Sequence, residues 1–191
     1  MAQPRKPVPA KLVIAQFSSS WEVLLEAKEK LANTFGPIDL ESFPYSFIET
    51  DHYALTMGEN LIKQFLTFQN LVEQEELKKI KNLTNKWEEE AKHWASTKNL
   101  KVSRPLNLDP GLITGAKFIL ATMKDFSHRL YLGDHVYGEV TLMFQKGRFQ
   151  IQPWTYPDYQ KKETLHFLEL ARAIYMSQWK RMNCFEDKKR I

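Results

Sequence analysis

The spacing of apolar positions along the chain changes between two residues and three to four, which predicts interspersed strands and helices. Residues 11–17 form a short, mostly apolar run that is typical of a buried central strand. Ser19 followed by Glu22 matches a capping box, so we expect a helix to begin there and to end at Gly36 and Pro37. The apolar residues of this helix recur at helical spacing: Trp21, Leu24, Leu25, Leu31 and Phe35.

The following segments continue this pattern. Between residues 41 and 49, aromatic residues alternate with polar ones, as in a strand with one solvated face, and residues 63–68 form another strand candidate. Residues 73–95 carry a helical apolar stripe, and we expect their Glu and Lys side chains to lie on solvated faces. A strand at 102–108 completes the order strand, helix, strand, strand, helix, strand, which is the split βαβ or ferredoxin-like pattern.

The second half of the chain is dominated by short strand candidates. They are residues 118–123, 129–132, 136–144 and 148–152, and an amphipathic helix follows them. The fold class predicted is α+β, with a ferredoxin-like (βαββαβ) first half extended by an antiparallel β-meander and a C-terminal helix. We expect the helices to lie mainly on one side of the sheet.

The length of 191 residues fits one domain. We predict a flexible N-terminal arm over residues 1–10, a single α+β domain over residues 11–182 and a frayed tail over residues 183–191. Within the domain, the ferredoxin-like half spans residues 11–108, and the β-meander with the last helix spans residues 109–182.

Composition narrows the class of protein. Apolar residues make up 43% of the chain, which is enough for an ordinary core, and the net charge of +4 is only mildly basic. Cys184 is the one cysteine, so an internal disulfide is excluded, as suits a reducing cytosol. The N-terminus has no apolar signal core, and no apolar run is long enough to span a bilayer. These features predict a soluble, cytoplasmic protein without a membrane partner.

Candidate chemistry is concentrated between residues 104 and 159. In the strand at 136–142, alternation places Tyr137, Glu139 and Thr141 on one face. This arrangement leaves three interpretations open: a general base, a metal ligand or an ordinary exposed face. His128 and Arg129 lie at the turn into the preceding strand, so hairpin pairing is expected to bring them towards Glu139.

The charges of this region favour an anionic ligand. Residues 101–150 contain seven Lys and Arg residues against four Asp and Glu residues. Such a surplus suits a phosphate, which arginine grips as a fork and lysine as a point charge. We expect Lys117, Lys124 and Arg129 to hold the anion.

Two further motifs each have a structural and a functional interpretation. Asn107-Leu108-Asp109-Pro110-Gly111 reads either as a plain turn or as a strand end whose Asn107 and Asp109 position a ligand or a divalent cation. The run at 153–159 has three aromatic rings and two prolines. Its rings, Trp154 and Tyr156 among them, either stack on a base or close over one end of the core, while Asp158 caps the following turn or binds ligand.

Several kinds of site are excluded or weakly supported. There is no phosphate-binding lysine loop, no glycine-rich dinucleotide fingerprint and no nucleophile elbow. The single cysteine rules out cysteine-based metal sites, and the five histidines show no paired spacing. A Mg²⁺ site built from Asp109, Asp125, Glu139 or Asp158 stays open. No other cofactor is indicated.

Four motifs together resemble a known family. They are Asn-Leu-Asp-Pro-Gly at 107–111, Lys-Asp-Phe-x-His-Arg at 124–129, Tyr-x-Glu-Val-Thr-Leu at 137–142 and Pro-Trp-Thr-Tyr-Pro-Asp-Tyr at 153–159. In this order they resemble a bacterial family catalogued as a domain of unknown function, family 4416. The resemblance covers nearly the whole chain and implies an intracellular bacterial protein. It implies no activity, cofactor or catalytic residue.

The leading functional hypothesis is a pocket for a phosphate-bearing small molecule, a nucleotide or an RNA end, with a transferase or hydrolase as its enzymatic version. His128 and Glu139 are the candidate catalytic or orienting pair. The candidate ligand-binding residues are Asn107, Asp109, Lys117, Lys124, Arg129, Tyr137, Trp154, Tyr156 and Asp158. The alternative is a non-catalytic module that docks a protein partner through residues 153–159. Whether the protein is an enzyme is left open.

Overall fold

Strands and helices alternate around one antiparallel sheet. The structure is a computed structural model, and it describes residues 3–48, 53–97 and 100–188. The strands are β1 (Ala10–Ser18), β2 (Ile38–Glu41), β3 (Tyr45–Ser46), β4 (Ile62–Val72), β5 (Asn107–Ile113), β6 (Lys117–Thr122), β7 (Leu130–Gly133), β8 (Val136–Gln145) and β9 (Arg148–Ile151). The helices are α1 (Trp21–Phe35), α2 (Ala54–Met57), α3 (Leu77–Thr97) and α4 (Lys162–Lys188). Single 3₁₀ turns occupy Gln74–Glu76 and Pro157–Gln160.

The strand order across the sheet is β2-β4-β1-β5-β6-β8-β7, with β3 beside β4 and β9 beside β8. The β1-α1-β2 unit encloses β4, and the β4-α3-β5 unit encloses β1, so the first half contains two interleaved split βαβ units. The predicted α+β class is thereby confirmed. The finer ferredoxin-like assignment stays a prediction with which these pairings are compatible.

Two apolar layers hold the helices against the sheet. On one face, Leu12 and Ile14 of β1 pack with Leu24 of α1 and Trp87 of α3. On the other face, residues of β1, β4 and β6 pack with Leu168 and its neighbours on α4. The sheet is therefore covered on both sides, and the expectation of helices mainly on one side holds for α1 and α3 but not for α4.

The second half departs from the predicted meander at one step. β6 pairs with β8 rather than with β7, and Leu120 lies opposite Glu139. β7 and β9 instead share the outer edge of β8, where Tyr131 lies opposite Tyr137 and Phe149 opposite Phe144. The reason is length, because the ten residues of β8 accommodate two four-residue strands one after the other.

The prediction of a strand between residues 41 and 49 was wrong in its position. Most of the pairing with β4 comes from β2, which ends at Glu41, and β3 contains only two residues. Phe43 is 94% exposed rather than part of an alternating strand, and Pro44 lacks the N–H that a ladder needs. Residues 49–52 lie outside the described part of the chain.

The motif at 107–111 lies inside β5 and is not a turn. Its residues pair with β1 throughout, whereas pairing with β6 begins only at Gly111. The N–H of Leu108 points to the unpaired edge, and Pro110, two residues on, has its nitrogen on that same edge. A proline is tolerated there because no ladder hydrogen bond is lost.

Regular secondary structure extends slightly beyond residues 11–182 at both ends. β1 begins at Ala10, and α4 extends to Lys188, so the helix includes residues 183–188 of the predicted tail. Near the N-terminus, the Lys6 ammonium donates to Glu73 over 2.9 Å. None of the helices in the described ranges combines the length and the apolar character needed to cross a membrane.

We predict that Gly111→Ala destabilises the protein. A Cβ at this position would lie 2.6 Å from the Ile119 carbonyl oxygen and 2.7 Å from the Phe118 ring, so β5 and β6 would have to separate. Such overpacking costs about 1–3 kcal/mol. Urea denaturation measures the loss. Gly115→Ala is the matched control, since its Cβ would meet only Met176 Sδ at 3.8 Å. Equal stabilities of the two variants would contradict the prediction.

Candidate functional site

A buried carboxylate on β8 joins the turn before β7 to the sheet. Glu139 is 2% exposed, and its Oε2 accepts a hydrogen bond from Arg129 Nε over 2.8 Å. The same oxygen lies 3.1 Å from His128 Nε2, and Oε1 accepts from the Thr141 hydroxyl over 3.2 Å. The contact expected between the His-Arg turn and Glu139 is thus present in the structure.

The β7–β8 hairpin explains why these residues meet. Leu130 pairs with Gly138, which brings the preceding Arg129 alongside Glu139. The hairpin closes through Gly133, Asp134 and His135, all of which have positive φ. Turns of this kind match the twist of the two strands and fix their register.

The imidazole of His128 contacts two other rings. Its plane is within 10° of the Trp154 indole at a centroid distance of 5.1 Å, and Phe126 contacts it at 5.3 Å. Since a neutral imidazole donates from one nitrogen, the contact with Glu139 places that hydrogen on Nε2. No residue in the described part of the chain donates to or accepts from the other nitrogen, Nδ1.

All three guanidinium nitrogens of Arg129 have partners within the protein. Nε donates to Glu139, one terminal nitrogen donates to the Lys124 carbonyl over 2.9 Å, and the other donates to the Tyr156 hydroxyl over 2.5 Å. Burial lowers the pKa of Arg129, but the hydrogen bond to Glu139 and the charges of Tyr156 and Glu139 outweigh it and raise the pKa. Arg129 therefore orients its neighbours with three of its five N–H donors, and its role in holding an anion stays a prediction.

The aromatic run at 153–159 is anchored to the sheet. Trp154 Nε1 donates to the Val140 carbonyl over 2.9 Å, and the Thr155 hydroxyl donates to the Thr141 carbonyl over 2.5 Å. Trp154 and Tyr156 keep 37% and 41% of their surfaces exposed. The run therefore closes over the core and still presents two rings to solvent.

Asp158 neither caps the following turn nor reaches solvent. Its buried carboxylate accepts from Lys63 Nζ over 2.5 Å. That ammonium also lies 4.9–5.4 Å from the centroids of four rings, which are Phe17, Phe47, Phe65 and Tyr159. The pair fixes the aromatic run to β4. Lys63 was missed in the sequence, where its position two residues before Phe65 marks it as inward-facing.

A second polar cluster fills the unpaired edge of β5. The Leu108 N–H donates to Glu88 over 2.9 Å, and Lys81 Nζ donates to the Leu108 carbonyl over 2.9 Å. Arg104 bonds both Glu88 and Asn107, and Asn107 Nδ2 donates to Asp109 over 2.8 Å. Asn107 and Asp109 are thus held by protein partners.

The expectation that the charged residues of α3 are solvated was wrong for Lys81 and Glu88, which are 5% and 8% exposed. With Thr84 they step by three and four residues, which places them in one stripe beside the apolar one. This spacing is the sequence signal that indicates that Lys81 and Glu88 share one face of α3. Burial raises the pKa of the Glu88 carboxyl, and the charges of Lys81 and Arg104 offset part of that rise.

The two clusters influence each other through Asp109. Burial is the main cause that raises the pKa of Tyr156, and the charges of Glu139 and Asp109 add to it. Burial together with Asp109 also raises the pKa of Tyr53 to about 12. The carboxylate on β5 therefore acts electrostatically on a phenol that contacts Arg129.

Three of the expected ligand-binding residues lie at the margin of this region. Lys124 is exposed beside Arg129, and its side chain has no partner in the described residues. The Tyr137 ring is partly buried against Tyr131 at 5.2 Å. Lys117 lies three positions from Leu120, about 10 Å along β6, and on the opposite face of the sheet. Lys117 therefore does not join the others.

Neither of two grooves in the protein surface includes His128 or Glu139. Two grooves of about 460 and 450 Å³ lie elsewhere, one beside residues 74–79 and one beside α1. Within the described ranges, no group of three or more His, Cys, Asp and Glu side chains is placed to hold a metal ion. The His128–Glu139 contact joins a loop to a hairpin and lies outside both of these grooves.

Comparison with known proteins gives one result. A family model described as Domain of unknown function (DUF4416) matches residues 8–175. The chain belongs to the DUF4416 family. This confirms the resemblance, because all four motifs that suggested it lie within the matched range. No curated protein and no solved structure matches the chain. Since the family description names no activity, any function has to be argued from geometry.

We predict that Glu139→Ala strongly destabilises the protein. The substitution leaves the buried Arg129 guanidinium without its carboxylate, and breaking a buried pair in this way costs about 3–5 kcal/mol. Chemical denaturation checks it. Lys79→Ala, which removes an exposed pair with Glu76, is the control and should leave the midpoint unchanged. A similar midpoint for the two variants would show that the buried pair is not stabilising.

We also predict that stability falls between pH 10 and pH 12 in a way that depends on Tyr53. Unfolded tyrosine ionises near pH 10, whereas the folded Tyr53 ionises near 12, so rising pH favours the unfolded state across this window. Urea midpoints measured from pH 9 to 12 should decline less steeply in Tyr53→Phe than in wild type. Parallel declines would refute the shift.

Proposed function

We propose that DUF4416 chains of this kind bind a phosphate-bearing ligand, a nucleotide or an RNA end, beside His128 and act on it as a transferase or hydrolase. The observation that carries the proposal is the difference in hydrogen bonding between the two nitrogens of the His128 imidazole. One nitrogen contacts a buried carboxylate and the other has no partner in the described residues. A ring held in this way is prepared to exchange a proton with a bound ligand.

In this proposal, His128 acts first as a base and then as an acid. With hydrogen on Nε2, the Nδ1 lone pair accepts a proton from an attacking hydroxyl or water, and the imidazolium that forms is stabilised by the Glu139 carboxylate. Nδ1 then returns the proton to the leaving oxygen. Arg129 is a positioning residue here, because it holds Glu139 and Tyr156 in place.

Ligand recognition is assigned to the exposed groups nearby. Lys124 provides a solvent-facing ammonium in the loop that carries His128, and this charge suits a phosphate. The exposed part of the Trp154 indole suits stacking on a base. Asn107, Asp109 and Asp158 are assigned a supporting role, since each already bonds to another protein side chain.

We expect inorganic phosphate, AMP or ATP to perturb the amide resonances of residues 124–129 in a saturable titration followed by ¹H–¹⁵N NMR. Lys124→Ala should weaken the apparent affinity about tenfold, as expected for loss of a hydrogen bond to a charged group. Lys117→Ala is the matched control, being a lysine of the neighbouring strand on the other face of the sheet. If no phosphate compound binds, or if the two lysine variants behave alike, the proposal fails.

Catalysis has a separate test. His128→Asn keeps a polar side chain but removes the imidazole, so binding of the phosphate probe should persist while turnover, followed by ³¹P NMR, is lost. Turnover by the His128→Asn variant at the wild-type rate would remove His128 from the chemistry. If the protein instead recognises a protein partner through Trp154 and Tyr156, phosphate compounds will not bind.

A further inference from the structure

A groove of about 450 Å³ lies between α1 and the segment that joins β2 to β3. Gln16 of β1 and Gln64 of β4 are buried at its floor and lie opposite each other in the sheet. Both point to the face that packs α1 and α3, as do Ile14 and Leu66 two residues away. Nothing in the site around His128 uses these residues.

The floor of the groove contains an acceptor without a donor. Gln64 Nε2 donates to the Ser42 carbonyl over 3.0 Å, and Gln16 Nε2 donates to Gln64 Oε1 over 3.1 Å. The remaining atom, Gln16 Oε1, is buried and has no hydrogen-bond partner among the residues described. Buried acceptors are satisfied in nearly all proteins, so each exception calls for a partner.

Rotating the amides does not remove this acceptor. Gln64 faces two acceptors, the Ser42 carbonyl and, over 3.4 Å, the Glu41 carboxylate, so its NH₂ group must point towards them. The Gln64 oxygen then points to Gln16, so Gln16 must donate to it from its own NH₂ group. Consequently, the atom left without a hydrogen-bond partner in the described residues is Gln16 Oε1.

The rim of the groove is apolar and electrically balanced. Trp21 and Leu25 of α1 are partly exposed on one side, and Phe43 is exposed on the other. The charges at the rim, Lys28 and Glu41, form an ion pair with each other. A charged ligand would find neither charge free, whereas a flat apolar ring would contact the aromatic side chains.

We propose that this groove binds a small, neutral aromatic ring that carries an N–H group, of the indole or nucleobase class, and that the N–H donates to Gln16 Oε1. Because Gln16 is fully buried, the ring enters by turning the exposed rim side chains aside, and it then lies against Trp21 or Phe43. The site is independent of the phosphate site, since its residues contact neither His128 nor Lys124.

Matched probes with and without the donor test this idea. Indole is compared with 1-methylindole, and uracil with 1,3-dimethyluracil, by saturation-transfer NMR and by shifts of the Trp21 and Gln16 resonances. Indole or uracil should bind saturably, and its methylated partner should bind at least tenfold more weakly, because methylation removes the N–H. Equal binding within both pairs, or no saturable binding by indole or uracil at millimolar concentration, overturns the proposal.

Two variants locate the site. Gln16→Leu removes the acceptor at similar volume, so it should reduce indole binding to the level of 1-methylindole. Phe43→Ala changes a fully exposed side chain and should weaken both probes without affecting the fold, whereas Leu130→Ala, an exposed residue of β7, should have no effect. Undiminished indole binding in both Gln16→Leu and Phe43→Ala would place the ring elsewhere and end the proposal. His128→Asn should bind indole as wild type does, which separates this test from that of the phosphate site.

Discussion

The peptide group of Leu108 imposes the constraint on which the polar half of the molecule depends. β6 begins to pair with β5 only at Gly111, so the N–H and C=O of Leu108 face an opening in the sheet. Unpaired peptide groups in a buried position are costly, and Glu88 and Lys81 of α3 satisfy both. Their charges in turn require Arg104, Asn107 and Asp109 nearby. A break in one ladder thereby produces a partly buried network in which two cations balance two carboxylates.

Tyr156 links the polar cluster at β5 to the residues around His128. Tyr156 lies between the two clusters, since it accepts from Arg129 and is influenced by Asp109. The Lys63–Asp158 pair supports it from below by holding the aromatic run against β4. Within the described part of this region, these interactions leave Nδ1 of the His128 imidazole without a hydrogen-bond partner. For the function proposed above, such fixed neighbours would hold the imidazole in one orientation towards a ligand.

Much of the fold was predictable because its signals are local. The periods of β1, α1, α3 and α4 and the turn before β8 are all visible in the sequence, and the hairpin logic brought Arg129 to Glu139 correctly. Long-range pairing was not visible. The placement of β2 depended on competition for the edge of β4, and the pairing of β6 with β8 depended on the length of β8. For the same reason the sequence wrongly predicts Lys81 and Glu88 to be surface residues, because their partner is a backbone group twenty or more residues away.

The division of the outer edge of β8 between β7 and β9 has a consequence for behaviour at high concentration. Each of these strands has four residues, so neither offers a neighbouring molecule a long, straight row of peptide groups to extend. The change from one strand to the other interrupts the row midway. Apolar side chains such as Leu130 and Tyr131 can therefore remain exposed there, because the interrupted edge disfavours edge-to-edge pairing of sheets into fibres.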